Sequence, residues 1–139
     1  MNGYPLRGVY SPGQVMVVGG FQLNGASAPT VFRDGTKVSS AQKKFSVSRV
    51  SAGLYTVTFT GGYPLPTLPF IHPSLEQAAA PTADAYAFLV KGSWSTSTRS
   101  FQVQLQTVGT TPAATDADAG DRVTFLFLGS TSSAGTDPA

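Results

Sequence analysis

The chain has 139 residues, of which 41% are apolar and 12% charged, with a formal net charge of +2 and no cysteine. This length fits a single domain, and a charged fraction about half of the usual ~25% suits a surface covered by neighbouring proteins. The nine basic residues do not form a dense stripe, so they do not indicate nucleic-acid binding. The missing cysteines exclude disulfides and thiolate zinc sites. No apolar run approaches the ~18 residues of a membrane span. The N-terminus lacks the apolar core of a signal peptide, so we expect synthesis in the cytoplasm.

The first predicted strand covers Gln14–Phe21, where Val15, Val17 and Phe21 are in phase. Period-2 alternation recurs along the chain, while helical spacing is not sustained anywhere. Gly19-Gly20 indicates either a bulge or a close approach of another part of the chain. The pattern predicts an all-β protein.

Two hairpins are predicted next. Thr30–Arg33 and Thr36–Val38 flank Asp34-Gly35, a dipeptide that favours the type I′ turn of a short protruding hairpin. Phe45–Val50 and Leu54–Thr60 form the second hairpin, because both alternate and a short Gly-containing connection joins them.

The composition changes in the segment from Gly61 to Ala83, which contains five prolines. Proline lacks the N–H group that a strand ladder needs, so this segment is predicted to be a long irregular loop with one helical turn around Ser74–Ala80. Loops of this length in compact domains are usually functional or covered by a partner.

Three further strands complete the pattern. Ala85–Trp94, with Tyr86, Phe88 and Val90 in phase, and Arg99–Val108, with alternating apolar and Gln residues, predict another hairpin. The last strand is Arg122–Leu128, which has apolar residues in both phases. Its outer residues, Leu126 and Leu128, predict burial on both sides, either by the second sheet or by another subunit.

These elements predict an antiparallel two-sheet sandwich or jelly roll of about eight strands. The domain organisation is an N-terminal arm at residues 1–13, a β-sandwich domain at 14–129 that includes the Pro-rich loop at 61–84, and a C-terminal tail at 130–139. The arm and the tail have no core-forming pattern of their own.

Residues able to carry out chemistry are few. His72 is the only histidine, and neither a nucleophile elbow nor a cysteine accompanies it, so a structural or interface role is preferred over a catalytic one. The three carboxylates within Asp116–Asp121 are compatible with calcium, but the closing ligands of an EF-hand loop are missing, and an ordinary solvated loop is preferred. We therefore predict no enzymatic activity, no cofactor and no metal.

Two groups of residues are candidates for an interface. The basic residues Arg33, Lys37, Lys43, Lys44 and Arg49 form either a solvated rim or a patch for an acidic surface, such as the Asp-rich loop of another copy. The second group contains the aromatic residues at the ends of the alternating segments, together with the histidine. These are Tyr63, Phe70, His72 and Trp94.

Gly53–Phe59, of the form Gly-x-Tyr-x-Val-x-Phe, resembles a segment of jelly-roll domains of the C1q and tumour-necrosis-factor type and of small structural proteins of tailed bacteriophages. Asp121–Gly129 resembles the final strand of such domains. The resemblance implies a homotrimeric capsid decoration (cement) protein that binds the major capsid protein at capsomer junctions and resides on the virion surface. The alternative is a receptor-binding or carbohydrate-binding module of a phage tail or fibre tip.

Overall fold

The protein is a two-sheet antiparallel β-sandwich, as the sequence predicts. The computed structural model describes residues 14–32, 45–61 and 64–131, and these contain eight strands and no helix. Sheet A has the strand order β2-β1-β8-β5, and sheet B has the order β3-β4-β7-β6. The strands are β1 (Gln14–Asn24), β2 (Ser27–Phe32), β3 (Phe45–Ser51), β4 (Leu54–Phe59), β5 (Phe70–Glu76), β6 (Ala85–Leu89), β7 (Ser100–Thr107) and β8 (Arg122–Ser130).

The first and last strands lie side by side in the middle of sheet A. β1 and β8 pair along nine positions, from Gln14 opposite Ser130 to Gln22 opposite Arg122. The chain crosses between the sheets after β2, β4, β5 and β7. Gln14 and Ser130 therefore lie side by side at the same end of the two central strands of sheet A.

The core lies between the two sheets and is rich in aromatic rings. Phe59 of β4 contacts Phe127 of β8 with ring centroids 4.5 Å apart, and Phe101 of β7 contacts Phe125 edge to face at 5.4 Å. These rings are fully or almost fully buried. Because each sheet supplies alternate residues to this layer, the period-2 pattern of the sequence becomes a continuous apolar interior.

The predicted β3–β4 hairpin is confirmed, and Gly53 explains its tight turn. Gly53 has a φ of 68°, and a Cβ at this position would lie 2.4 Å from the carbonyl oxygen of Thr115 and 2.7 Å from that of Leu105. Only glycine combines this φ with such close backbone contact.

A second hairpin lies where the sequence analysis placed none. β1 and β2 are joined by the two-residue loop Gly25-Ala26, with Asn24 paired to Ser27 and Gly25 at a φ of 62°. Glycine at the first position of a two-residue loop is favoured because that position needs a positive φ. The predicted turn at Asp34-Gly35 lies outside the described residues.

The prediction of a long irregular loop between Gly61 and Ala83 was wrong over Phe70–Glu76, which form β5, and the helical turn predicted around Ser74–Ala80 does not form. Pro73 lies within this strand, opposite Phe125. β5 is an edge strand, where a missing N–H breaks no ladder on the open side, so proline is tolerated there.

The phase of β6 differs from the prediction, and the strand ends at Leu89 instead of Trp94. Tyr86 and Phe88 pair opposite Gln106 and Gln104 of β7 and share their outer face. Ala87 and Leu89 consequently pack against the core. The bulkier residues of this edge strand therefore lie outside the sandwich.

Gly19 marks a close approach and not a bulge. The pairing of β1 with β8 runs without a shift of register through this position. A Cβ on Gly19 would lie 2.4 Å from the ring of Phe45, which fills the space between the sheets. Glycine here lets an aromatic ring of sheet B pack directly on the backbone of sheet A.

Candidate interaction face

The outer side of sheet A carries a set of apolar side chains that nothing in the described residues covers. Two rows cross the sheet: Phe70, Leu128 and Met16 are paired neighbours, as are His72, Leu126 and Val18. Met16 is 52% exposed, Val18 45% and Phe70 59%. We call the five apolar members the apolar face: Met16, Val18, Phe70, Leu126 and Leu128.

The local sequence explains why this face is apolar. β1 begins with Val15-Met16-Val17-Val18, and β8 contains Phe125-Leu126-Phe127-Leu128, so both strands place apolar residues in both phases. Alternate side chains, such as Val17 and Phe127, point into the core, so the apolar side chains between them must lie on the opposite side of the sheet. Continuous apolar runs are typical of strands that are covered on both sides.

The other end of the same face is polar. Glu76 and Arg122 form an exposed ion pair of 3.2 Å, and the hydroxyl groups of Ser74 and Thr124 are 2.8 Å apart. The guanidinium of Arg122 also lies 5.7 Å from the centre of the Phe32 ring. The face therefore has an apolar end near Gln14 and Ser130 and a charged end at the other end of the strands.

The outer side of sheet B has a different chemistry. Its central strands present hydroxyl and amide groups in register, with Thr58 opposite Ser100 and Thr56 opposite Gln102. The amide of Gln102 donates to the Thr56 hydroxyl at 3.3 Å. Tyr86 adds an aromatic ring at the edge, but its hydroxyl donates to Gln106 at 3.0 Å. Phe88 lies beside Tyr86 on the same edge strand, with ring centroids 5.7 Å apart. The hydroxyl and amide groups of the central strands can remain in water at little cost.

The predicted aromatic and histidine residues are divided between two environments. Phe70 and His72 lie on the outer side of sheet A, with nearly parallel rings whose centroids are 6.3 Å apart. Trp94 instead packs toward the core, 5.0 Å from Phe127, and its Nε1 donates to the carbonyl oxygen of Pro66 at 3.2 Å. The structure thus brings Phe70 and His72 together and places Trp94 at the inner side of the sandwich.

The remaining predicted interface residues lie outside the described residues. These are Tyr63, Arg33, Lys37, Lys43 and Lys44.

Arg49, the fifth basic candidate, binds the Asp-rich loop of its own chain. Its Nε and Nη2 donate to the two carboxylate oxygens of Asp116 at 2.9 Å and 2.8 Å. Asp116 also accepts the N–H of Gly53 at 2.9 Å and the Tyr55 hydroxyl at 3.3 Å. This cluster, which we call the Asp116 clasp, fastens the β7–β8 connection to the β3–β4 turn.

The clasp changes the pKa values of its members. Hydrogen bonds from Arg49 hold the pKa of Asp116 below its usual value, and the Gly53 N–H acts in the same direction. Burial raises the pKa of Tyr55 to about 12, and the negative charge of Asp116 adds to this effect. At neutral pH the clasp therefore contains a carboxylate, a guanidinium and a neutral phenol.

The other two carboxylates of the loop also bind within the chain. Asp118 accepts the backbone N–H of Thr82 at 2.8 Å, which lowers its pKa. Asp121 is buried and accepts the N–H of Asp118 at 3.2 Å and the Gln77 amide at 3.4 Å. No group of three or more metal-binding side chains occurs within the described ranges. The Asp-rich segment is thus a hydrogen-bonded connection, more ordered than the solvated loop that its composition predicts.

Sequence reasoning identified part of the apolar face. Leu126 and Leu128 were predicted to be covered, and the structure excludes the second sheet as their cover, because sheet B packs on the side of Phe125 and Phe127. Met16 and Val18 were missed, although the run Val15-Met16-Val17-Val18 carries the same two-phase signal. Their contribution depends on the pairing of β1 with β8, which the sequence does not show.

In the part of the chain that the structure describes, no helix is long and apolar enough to cross a membrane. The fold defines the chain as an antiparallel β-sandwich protein. Comparison with protein-family models, with curated proteins and with solved structures finds no match.

Proposed function

We propose that the protein is a virion structural protein: a capsid decoration protein whose three copies associate through the apolar face and sit over capsomer junctions on the major capsid protein. The observation that carries the proposal is the exposure of large apolar side chains on the outer side of sheet A, including Met16 and Phe70. Water-exposed apolar patches rimmed by polar residues mark protein interaction sites.

Charge and strand arrangement support the same proposal. Only 12% of the residues are charged, which suits a protein whose surface is covered by neighbours. The described chain is an antiparallel sandwich of two four-stranded sheets, and two-sheet β architectures occur among viral capsid domains. Such a protein stabilises a shell by burying interface area.

The experiment combines light scattering with cosedimentation on phage heads that lack the protein. We expect the wild-type chain to have three times its monomer mass and to sediment with the heads. Leu126→Lys places a charge in the centre of the apolar face and should abolish both association and head binding. Thr58→Lys is the matched control, because Thr58 is also half-buried on the outer side of a central strand, in sheet B. A wild-type monomer that does not bind heads would contradict the proposal.

A further inference from the structure

The apolar face is too small to join two copies by direct contact. With strands about 4.8 Å apart and 3.4 Å per residue, its two rows across β1, β8 and β5 cover on the order of 200 Å². Stable interfaces bury about 800 Å² on each partner. Two such faces packed against each other would therefore fall short, and additional chain must contribute to the contact.

The apolar face adjoins a backbone edge of β1 that is unpaired among the described residues. β2 pairs with β1 only between Gly20 and Asn24, so among the described residues no strand lies on that side of Gln14–Gly19. The side-chain oxygen of Gln14 is buried and has no hydrogen-bond partner among the described residues. An open strand edge next to apolar side chains is the arrangement that binds an extended segment by strand addition.

The chain itself supplies a segment of suitable chemistry. Residues 1–13 contain Tyr4, Leu6, Val9 and Tyr10 and only one charged side chain, Arg7. They join the sheet at Gln14, one row from the apolar face. Thirteen residues reach at most about 45 Å, which is enough to bridge to a neighbouring copy. Residues 132–139, at the other end of the chain, contain no large apolar residue.

We propose that residues 1–13 of one copy bind the apolar face and the open edge of β1 in a neighbouring copy, so that the copies are joined by exchanged N-terminal segments. This inference rests on the proposed association of copies and names its partner. Each copy then contributes one segment and one face, and three copies can close a ring in which every face is covered.

A complementation experiment with full-length chains tests the exchange. The segment variant, Leu6→Asp with Tyr10→Asp, removes the apolar contacts of the segment but keeps the face. The face variant, Leu126→Lys, removes the face but keeps the segment. Each variant alone should be monomeric by light scattering, while an equimolar mixture should form a one-to-one complex, because one intact segment meets one intact face.

The control mixture pairs the segment variant with a chain that carries both defects, and it should show no complex. A segment variant that still associates like the wild type would overturn the inference in favour of direct contact between faces, while leaving the proposed function in place. If both variants are monomeric and their mixture also stays monomeric, the exchange is overturned. Failure of the wild type to bind phage heads would count against the decoration role alone.

Discussion

The outer faces of the two sheets differ in chemistry although their strands have the same geometry. In the centre of sheet A, β8 presents Leu126 and Leu128 next to Met16 of β1, whereas in the centre of sheet B, β4 presents Thr56 and Thr58. Both sheets bury their other side in a shared core. Folding of the single chain requires only one apolar side on each sheet, so it does not explain the apolar outer side of sheet A. This outer side points to a contact with another molecule.

The largest effect should come from the inner side of β8. Phe127→Ala removes a fully buried ring that contacts Phe59 and Trp94, and it should lower the free energy of unfolding by about 3–5 kcal/mol. Leu126→Thr, one residue away on the outer side, should cost less than about 1 kcal/mol. Urea denaturation of the two variants at a concentration where the chain is monomeric measures both. Equal losses would mean that the outer face is part of the folding core.

A smaller effect is expected at the Asp116 clasp. Asp116→Ala leaves the N–H of Gly53, a buried residue, without its acceptor, which costs about 1–3 kcal/mol of unfolding free energy. Thermal unfolding should show a lower melting temperature while the association through sheet A is unchanged. Loss of association in this variant would link the clasp to the interface and weaken the contrast between the two faces.

The clasp also predicts a pH dependence. Because the pKa of Asp116 is lower in the folded chain than in the unfolded chain, its contribution to stability is present above about pH 4 and is lost as the pH falls through the folded value. Asp116→Asn should therefore reduce the loss of stability of the wild type below about pH 4. Denaturation curves of both proteins between neutral and acidic pH test this, and identical acid profiles would exclude the clasp as the cause.

The smallest effect is expected on the outer side of sheet B. Thr58 lies on a face of hydroxyl and amide groups, so Thr58→Lys should change the unfolding free energy by no more than about 0.5 kcal/mol. The oligomeric state should also be unchanged. A change of mass for this variant would show that sheet B takes part in association and that the two faces do not differ in function.

The sequence predicted those features that depend on local periodicity. Alternation identified the two central strands of sheet B and β8, and Ser51-Ala52-Gly53 predicted the β3–β4 turn. The prediction missed β5 because of Pro73. Proline argues against a central strand but not against an edge strand, and whether a strand lies at the edge depends on the pairing of the whole sheet.

The candidate site was harder to predict because it depends on pairing between distant segments. Phe70 and Met16 are far apart in the chain and lie on the same row only because β5 and β1 both pair with β8. Arg49 and Asp116 likewise meet across 67 positions. The pattern of a single strand shows which of its side chains share a face, but not which residues of other strands lie beside them.

The most direct measurement of the central claim is the solution mass of three proteins at equal concentration: the wild type, Leu126→Lys and Thr58→Lys. The outer face of sheet A is the association surface if the wild type and Thr58→Lys have the mass of a trimer and Leu126→Lys that of a monomer. The same mass for all three proteins, whether monomer or trimer, would contradict the account.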